Sequence, residues 1–157
     1  MISPKARFDG RRVFTGFVAV LLACIANYLG DKLLGQRIEI FYGLATFNFI
    51  WFLQIFVLPV FVGILTTAVF GLGGKWLCYF PPLIVRSWAY YETLNFIGVP
   101  EGTYLMPLGW WGFFVILAME TAAIGGFLGE IMFKRIYGRS PKSSWYKSST
   151  PTKDTAD

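Results

Sequence analysis

Four long apolar blocks, separated by short polar joints, organise this chain, and each predicts a helix on the scale of a bilayer crossing. The first covers about 13–30 and is bracketed by Arg11-Arg12 and Asp31-Lys32. At about 1.5 Å per residue, a run of this length just crosses a hydrocarbon core. The second, 47–70, is the most hydrophobic, with Pro59 near its middle predicting a kink. The third, 76–97, carries Pro81-Pro82, Arg86 and Glu92. The fourth, 108–133, opens on the interfacial pair Trp110-Trp111 and ends at Lys134-Arg135. The fold class this predicts is all-α: an integral membrane bundle of four transmembrane helices occupying residues 1–137, followed by a disordered, basic cytoplasmic tail over 138–157.

The joints support an even number of crossings. Basic residues cluster before the first block and after the last, and Lys75 sits in the turn between the second and third. The stretch 98–111 has no Lys or Arg. By the positive-inside rule both termini then lie in the cytoplasm, with a bacterial inner membrane as the expected location. Two crossings remain the alternative if the third block dips in and returns or lies flat. The mixed connector 31–46 is expected at headgroup depth, with Ile38, Ile40 and Phe41 beside Tyr42.

Composition agrees. Of 157 residues, 55% are hydrophobic, 19% aromatic and only 15% charged, where a soluble domain carries about 25% charged residues. The net charge of +5 comes from residues flanking the spans, which points to anionic lipid headgroups and away from nucleic acid. There is no histidine, which excludes His-ligated haem, His-based zinc or di-iron sites and His acid–base chemistry. Cys24 and Cys78 lie inside apolar blocks and read as buried thiols. The basic start and Leu21-Leu22-Ala23-Cys24 resemble a lipoprotein signal, and Arg11-Arg12-Val13-Phe14 part of a twin-arginine signal. More membrane follows, so the first block is read as a retained span.

Polar residues inside the blocks are the candidate chemistry. Arg86 and Glu120 stand near the middles of the third and fourth blocks, and an intramembrane ion pair between them is the expected arrangement. That pair would act as a clamp on helix register, or as a relay or anion site. Asn48, Gln54 and Glu92 are the expected polar bundle residues, with Thr66 and Thr67 as further handles for bonds across helices. Ala118, Ala122 and Gly126 form one small-residue stripe, and Thr121, Gly125 and Gly129 another, for close packing within the chain or against another subunit. Glu130 is expected to be solvated or paired with Lys134. Gly71-Leu72-Gly73-Gly74-Lys75 lacks the spacing of a phosphate loop and reads as a helix stop and turn.

No catalytic motif, metal cluster or cofactor signature accompanies these residues, and the expected metal and cofactor content is none. The expected function is non-enzymatic: an accessory or scaffold subunit of a larger membrane complex, its partners being the bilayer and other membrane subunits or further copies of itself. The alternative is a small oligomeric transporter or channel in which Arg86 and Glu120 handle an ion, a proton or an anionic solute. A lipid-modifying enzyme using Arg86, Glu120 and Tyr90 is the third class.

Overall fold

The structure, a computed structural model, describes residues 10–137, the last two by their backbone alone. The expected basic tail from 138 onward lies outside the described residues, as do Lys5 and Arg7. Five α-helices carry the architecture: α1 (Gly10–Leu34), α2 (Phe49–Phe52), α3 (Leu58–Phe70), α4 (Phe80–Glu92) and α5 (Leu108–Tyr137). Between α2 and α3 lies a π-helical turn, Leu53–Val57, and together they make one rod from Phe49 to Phe70. A 3₁₀ stretch, Gly74–Tyr79, leads into α4, and a second π turn, Thr93–Ile97, leaves it.

Three helices are long and apolar enough to cross a membrane: Gly10–Leu34, Phe49–Phe70 and Leu108–Arg135. They carry a collar of exposed large side chains, among them Phe14, Phe17, Phe61, Ile116 and Phe127, as expected of helices solvated by lipid. The block 76–97 is helical as well but is not one of these three. Its prolines, Arg86 and Glu92 dilute its apolarity. Pro81 and Pro82 are buried in the first turn of α4, where no helical donor is lost.

Hydrogen bonds at the two ends fix how the segments run. At one end, Arg12 donates to the carbonyl of Leu72 at 3.1 Å and Gly73 N–H donates to Glu130 Oε1 at 2.8 Å. The start of α1, the glycine turn and the last part of α5 therefore meet there. At the other end, a two-residue strand β1 (Ile40–Phe41) pairs antiparallel with β2 (Tyr104–Leu105), and Met106 N–H donates to the carbonyl of Glu39 at 2.8 Å. The segment 74–97 thus runs from the glycine-turn end to the ribbon end, antiparallel to its sequence neighbours.

The ribbon gives the connector 31–46 a packed structure of its own. Ile38 and Ile40 are fully buried, and Ile38 joins Trp51, Ile55, Met106 and Phe114 in the core below the ribbon. Trp51 meets Phe114 edge-on at 5.2 Å between ring centroids. Two residues per strand are too few for a visible alternating pattern, which hides the ribbon from the sequence.

Lower in the bundle the core is made of small residues. A Cβ on Gly125 would fall on the carbonyl oxygen of Val60, and one on Gly63 on the carbonyl oxygen of Ala122. Gly129 sits against Thr67, and Gly126 against Cys78. Ala118 and Ala122 are buried. Both small-residue stripes of α5 therefore face this chain's own helices, Gly125 and Gly129 toward α3, and Ala122 and Gly126 toward α3 and the 3₁₀ stretch. Pro59 is the second residue after the π turn, whose wider ring removes the clash that a proline makes one turn back in a regular helix.

Candidate functional site

The residue with the largest fully buried side chain is a cation, Arg86 of α4, at 2% exposure. It hydrogen-bonds Asp31 Oδ1 at the end of α1, and its Nη1 stands 3.8 Å from Glu39 Oε1 in the segment just before β1. That second distance makes an ion pair but not a hydrogen bond. Gln54, fully buried in the π turn, donates through Nε2 to Asp31 Oδ1 at 3.0 Å and to the carbonyl of Gln36 at 3.0 Å. Four chain segments are thereby tied at one point near the ribbon.

The pair expected between Arg86 and Glu120 is not formed. Glu120 is exposed on α5, flanked one turn away by exposed Ile116 and Ile124. Two physical effects separate them. The 3₁₀ stretch rises about 2.0 Å per residue rather than 1.5, so its six residues lift Arg86 about 3 Å toward the ribbon end. Glu120 also lies two positions from both Ala118 and Ala122, about 160° round the helix from the packed face. Tyr90 joins neither: its hydroxyl donates to the carbonyl of Met106 at 3.4 Å and its ring packs on Trp111.

The remaining polar residues divide by task. Asn48 does not bond across helices; its Oδ1 accepts from Trp51 N–H at 2.8 Å and caps α2. Thr66 and Thr67 also turn inward, donating to Val62 and to Gly63 and Ile64 of their own helix. Glu92 is half-buried and lines a cavity beside the cluster. Glu130 is buried rather than solvated; it accepts from the Gly73 and Lys75 amides, at 2.8 and 3.4 Å. With Gly71 and Gly73 at positive φ, this carboxylate fills the amide-lined hollow that an anion would need, as suits a turn and not a phosphate loop.

Asp31 and Glu39 are the residues that reading by apolar blocks misses, because both lie in a joint rather than a span. Their signal was the charge-rich stretch 31–39 itself: polar residues between greasy blocks need partners when that joint folds inward. Around them opens a cavity of about 210 Å³, lined by Tyr28, Asp31, Lys32, Glu39, Arg86 and Glu92 among others. Burial pushes the Glu39 carboxyl above its ordinary range, and the Arg86 guanidinium pulls it part of the way back. A second, apolar groove of about 620 Å³ lies beside the ribbon, between Phe47, Tyr104 and Trp110.

Against protein-family models, curated proteins and solved structures, the chain matches none, so its function rests on this geometry alone.

Proposed function

We propose that this chain is a non-enzymatic subunit of a larger membrane assembly, with four crossings and both ends in the cytoplasm. The basic residues Arg11, Arg12, Lys75, Lys134 and Arg135 lie at the glycine-turn end, which makes that end the inner one by the positive-inside rule. A bacterial inner membrane fits this arrangement.

One observation carries the reading. Glu120 stands at the middle of an apolar helix, exposed, among Ile116, Ile124 and Phe127. A carboxylate facing hydrocarbon at that depth costs about 2.5–3.5 kcal/mol on insertion scales. A partner helix that covers it and supplies a hydrogen-bond donor or a cation removes the cost. The packed small-residue stripes give α5 a rigid footing, so its opposite face is a fixed surface to dock on.

Native mass spectrometry from lipid nanodiscs tests it. The expected result is a stoichiometric second chain, either another subunit or another copy, that is lost on Glu120→Ala. A wild-type protein released only as a monomer, with Glu120→Ala indistinguishable from it, overturns the reading.

The cavity beside Arg86 favours a second reading, a carrier of a small solute. Liposome flux that responds to Arg86→Lys would support it.

A further inference from the structure

The ion cluster at the ribbon end is incomplete in a specific way, and this is independent of how Glu120 is covered. Asp31 Oδ2, Glu39 Oε1 and Gln54 Oε1 are buried and without a hydrogen-bond partner. All three are acceptors, so what the cluster lacks is donors. Among the described residues, Asp31 and Glu39 are ion-paired by Arg86 alone. One guanidinium stands between the two carboxylates, while Lys32, Arg37 and Glu92 line the same cavity outside ion-pair distance of either. Lys32 is exposed and rests its ammonium over the Tyr28 ring at 4.7 Å, at the mouth of the cavity rather than on the carboxylates.

A donor that also carries one positive charge suits these acceptors, since Arg86 alone is in ion-pair reach of both carboxylates. A multivalent metal fits poorly: no group of three His, Cys, Asp or Glu side chains comes together among the described residues, and Arg86 already occupies the space against Asp31. The cavity of about 210 Å³ has room for several waters at roughly 30 Å³ each, or for the head of a small molecule. It opens at the ribbon end, where α1 stops at Leu34 and the apolar part of the bundle gives way to loops.

We propose that this cavity binds an ammonium group, carried by a lipid headgroup or by a small soluble amine, with Asp31 Oδ2 and Glu39 Oε1 as its acceptors. An ammonium offers three N–H donors on one charge, which matches two carboxylate oxygens that have no hydrogen-bond donor and share one guanidinium. A quaternary ammonium carries the charge without the donors and is the natural control.

The full chain is purified in mild detergent and titrated with ethylammonium and, separately, tetramethylammonium, following thermal unfolding and binding heat. It is also placed in nanodiscs of phosphatidylethanolamine or phosphatidylcholine, and retained lipid is counted by native mass spectrometry. Ethylammonium should raise the melting temperature and tetramethylammonium should not. Glu39→Gln should weaken ethylammonium binding at least tenfold, and if that variant does not fold, the comparison of the two amines on the wild-type chain decides alone. A response to ethylammonium with preferential retention of the ethanolamine lipid assigns the group to a headgroup. The same response without lipid preference assigns it to a soluble amine. Equal effects of the two amines, or no effect of either together with equal retention of the two lipids, overturns the proposal.

Discussion

Thr121 Oγ1 lies 3.0 Å from the carbonyl oxygen of Ile55, 66 positions earlier in the chain. Ile55 is the residue four before Pro59, so its carbonyl would accept from residue 59 in a regular helix. Proline has no N–H to give. The hydroxyl of α5 reaches across to the acceptor that Pro59 leaves open, in the π turn just before α3. The same hydroxyl is also near the carbonyls of Leu117 and Ala118 in its own helix, at 3.1 and 2.9 Å, so its single proton is shared.

Replacing Thr121 by valine keeps the shape and removes the donor. Thr121→Val is expected to lower stability by about 1–2 kcal/mol, the cost of leaving a buried carbonyl unpaired. Thr121→Ser keeps the donor and should lose less. Thermal melts of the two variants in the same detergent make the comparison; a serine variant weaker than the valine one would show that packing of the methyl, not the hydrogen bond, sets the stability.

The close approach of α3 and α5 makes a second expectation. At Gly125 a methyl group would meet the Val60 backbone, which cannot rotate aside. Gly125→Ala should destabilise by about 1–3 kcal/mol through overpacking. Gly112→Ala, where nothing lies within 4 Å of the added atom, should be near neutral in the same melting assay.

How far these features were legible in the sequence depends on which force set them. The apolar blocks gave their helices away because lipid-facing and core-facing positions are both apolar, leaving long runs with polar ends. The stripe Thr121, Gly125 and Gly129 was visible for the same kind of reason: close approach demands small residues at helical spacing. The Arg86 pairing was not. A midpoint rule treats every residue as rising equally, and the 3₁₀ stretch before Pro81 breaks that rule. Yet the position of Glu120, opposite Ala118 and Ala122, was already fixed by helical geometry, so the sequence contained the evidence against the pair. Asp31 and Glu39 were hidden for a different reason. Only the ribbon, two residues wide, folds their joint back over the bundle, and so short a pairing leaves no periodic trace.

Arg86 holds Asp31 and Glu39 from the middle, so truncating it removes both partners at once. Arg86→Ala is expected to cost about 3–5 kcal/mol, because buried carboxylates are left uncompensated. The double change Arg86→Ala with Glu39→Gln should recover part of that loss by removing one of the stranded charges. Chemical or thermal denaturation of the single and double variants measures the recovery, and a double variant no better than Arg86→Ala would place the damage in lost packing.

Acid titration of stability reads the same cluster from Glu39. Its carboxyl is raised above 4.5 chiefly by burial, with Asp31 adding to the rise, while Arg86, its own backbone amide and Arg37 oppose it. A carboxyl with a raised value in the folded chain binds more protons folded than unfolded between those two values. Stability contributed by this group is therefore fully present below about 4.5 and declines as pH rises toward the folded value. Glu39→Gln has no proton to lose and should flatten that part of the profile, with the largest gain over wild type on its upper side. Melting temperatures of wild type and Glu39→Gln from pH 4 to 8 check the sign. Parallel curves would mean that Glu39 titrates alike in the folded and unfolded chain, and that burial next to Arg86 leaves its proton affinity unchanged.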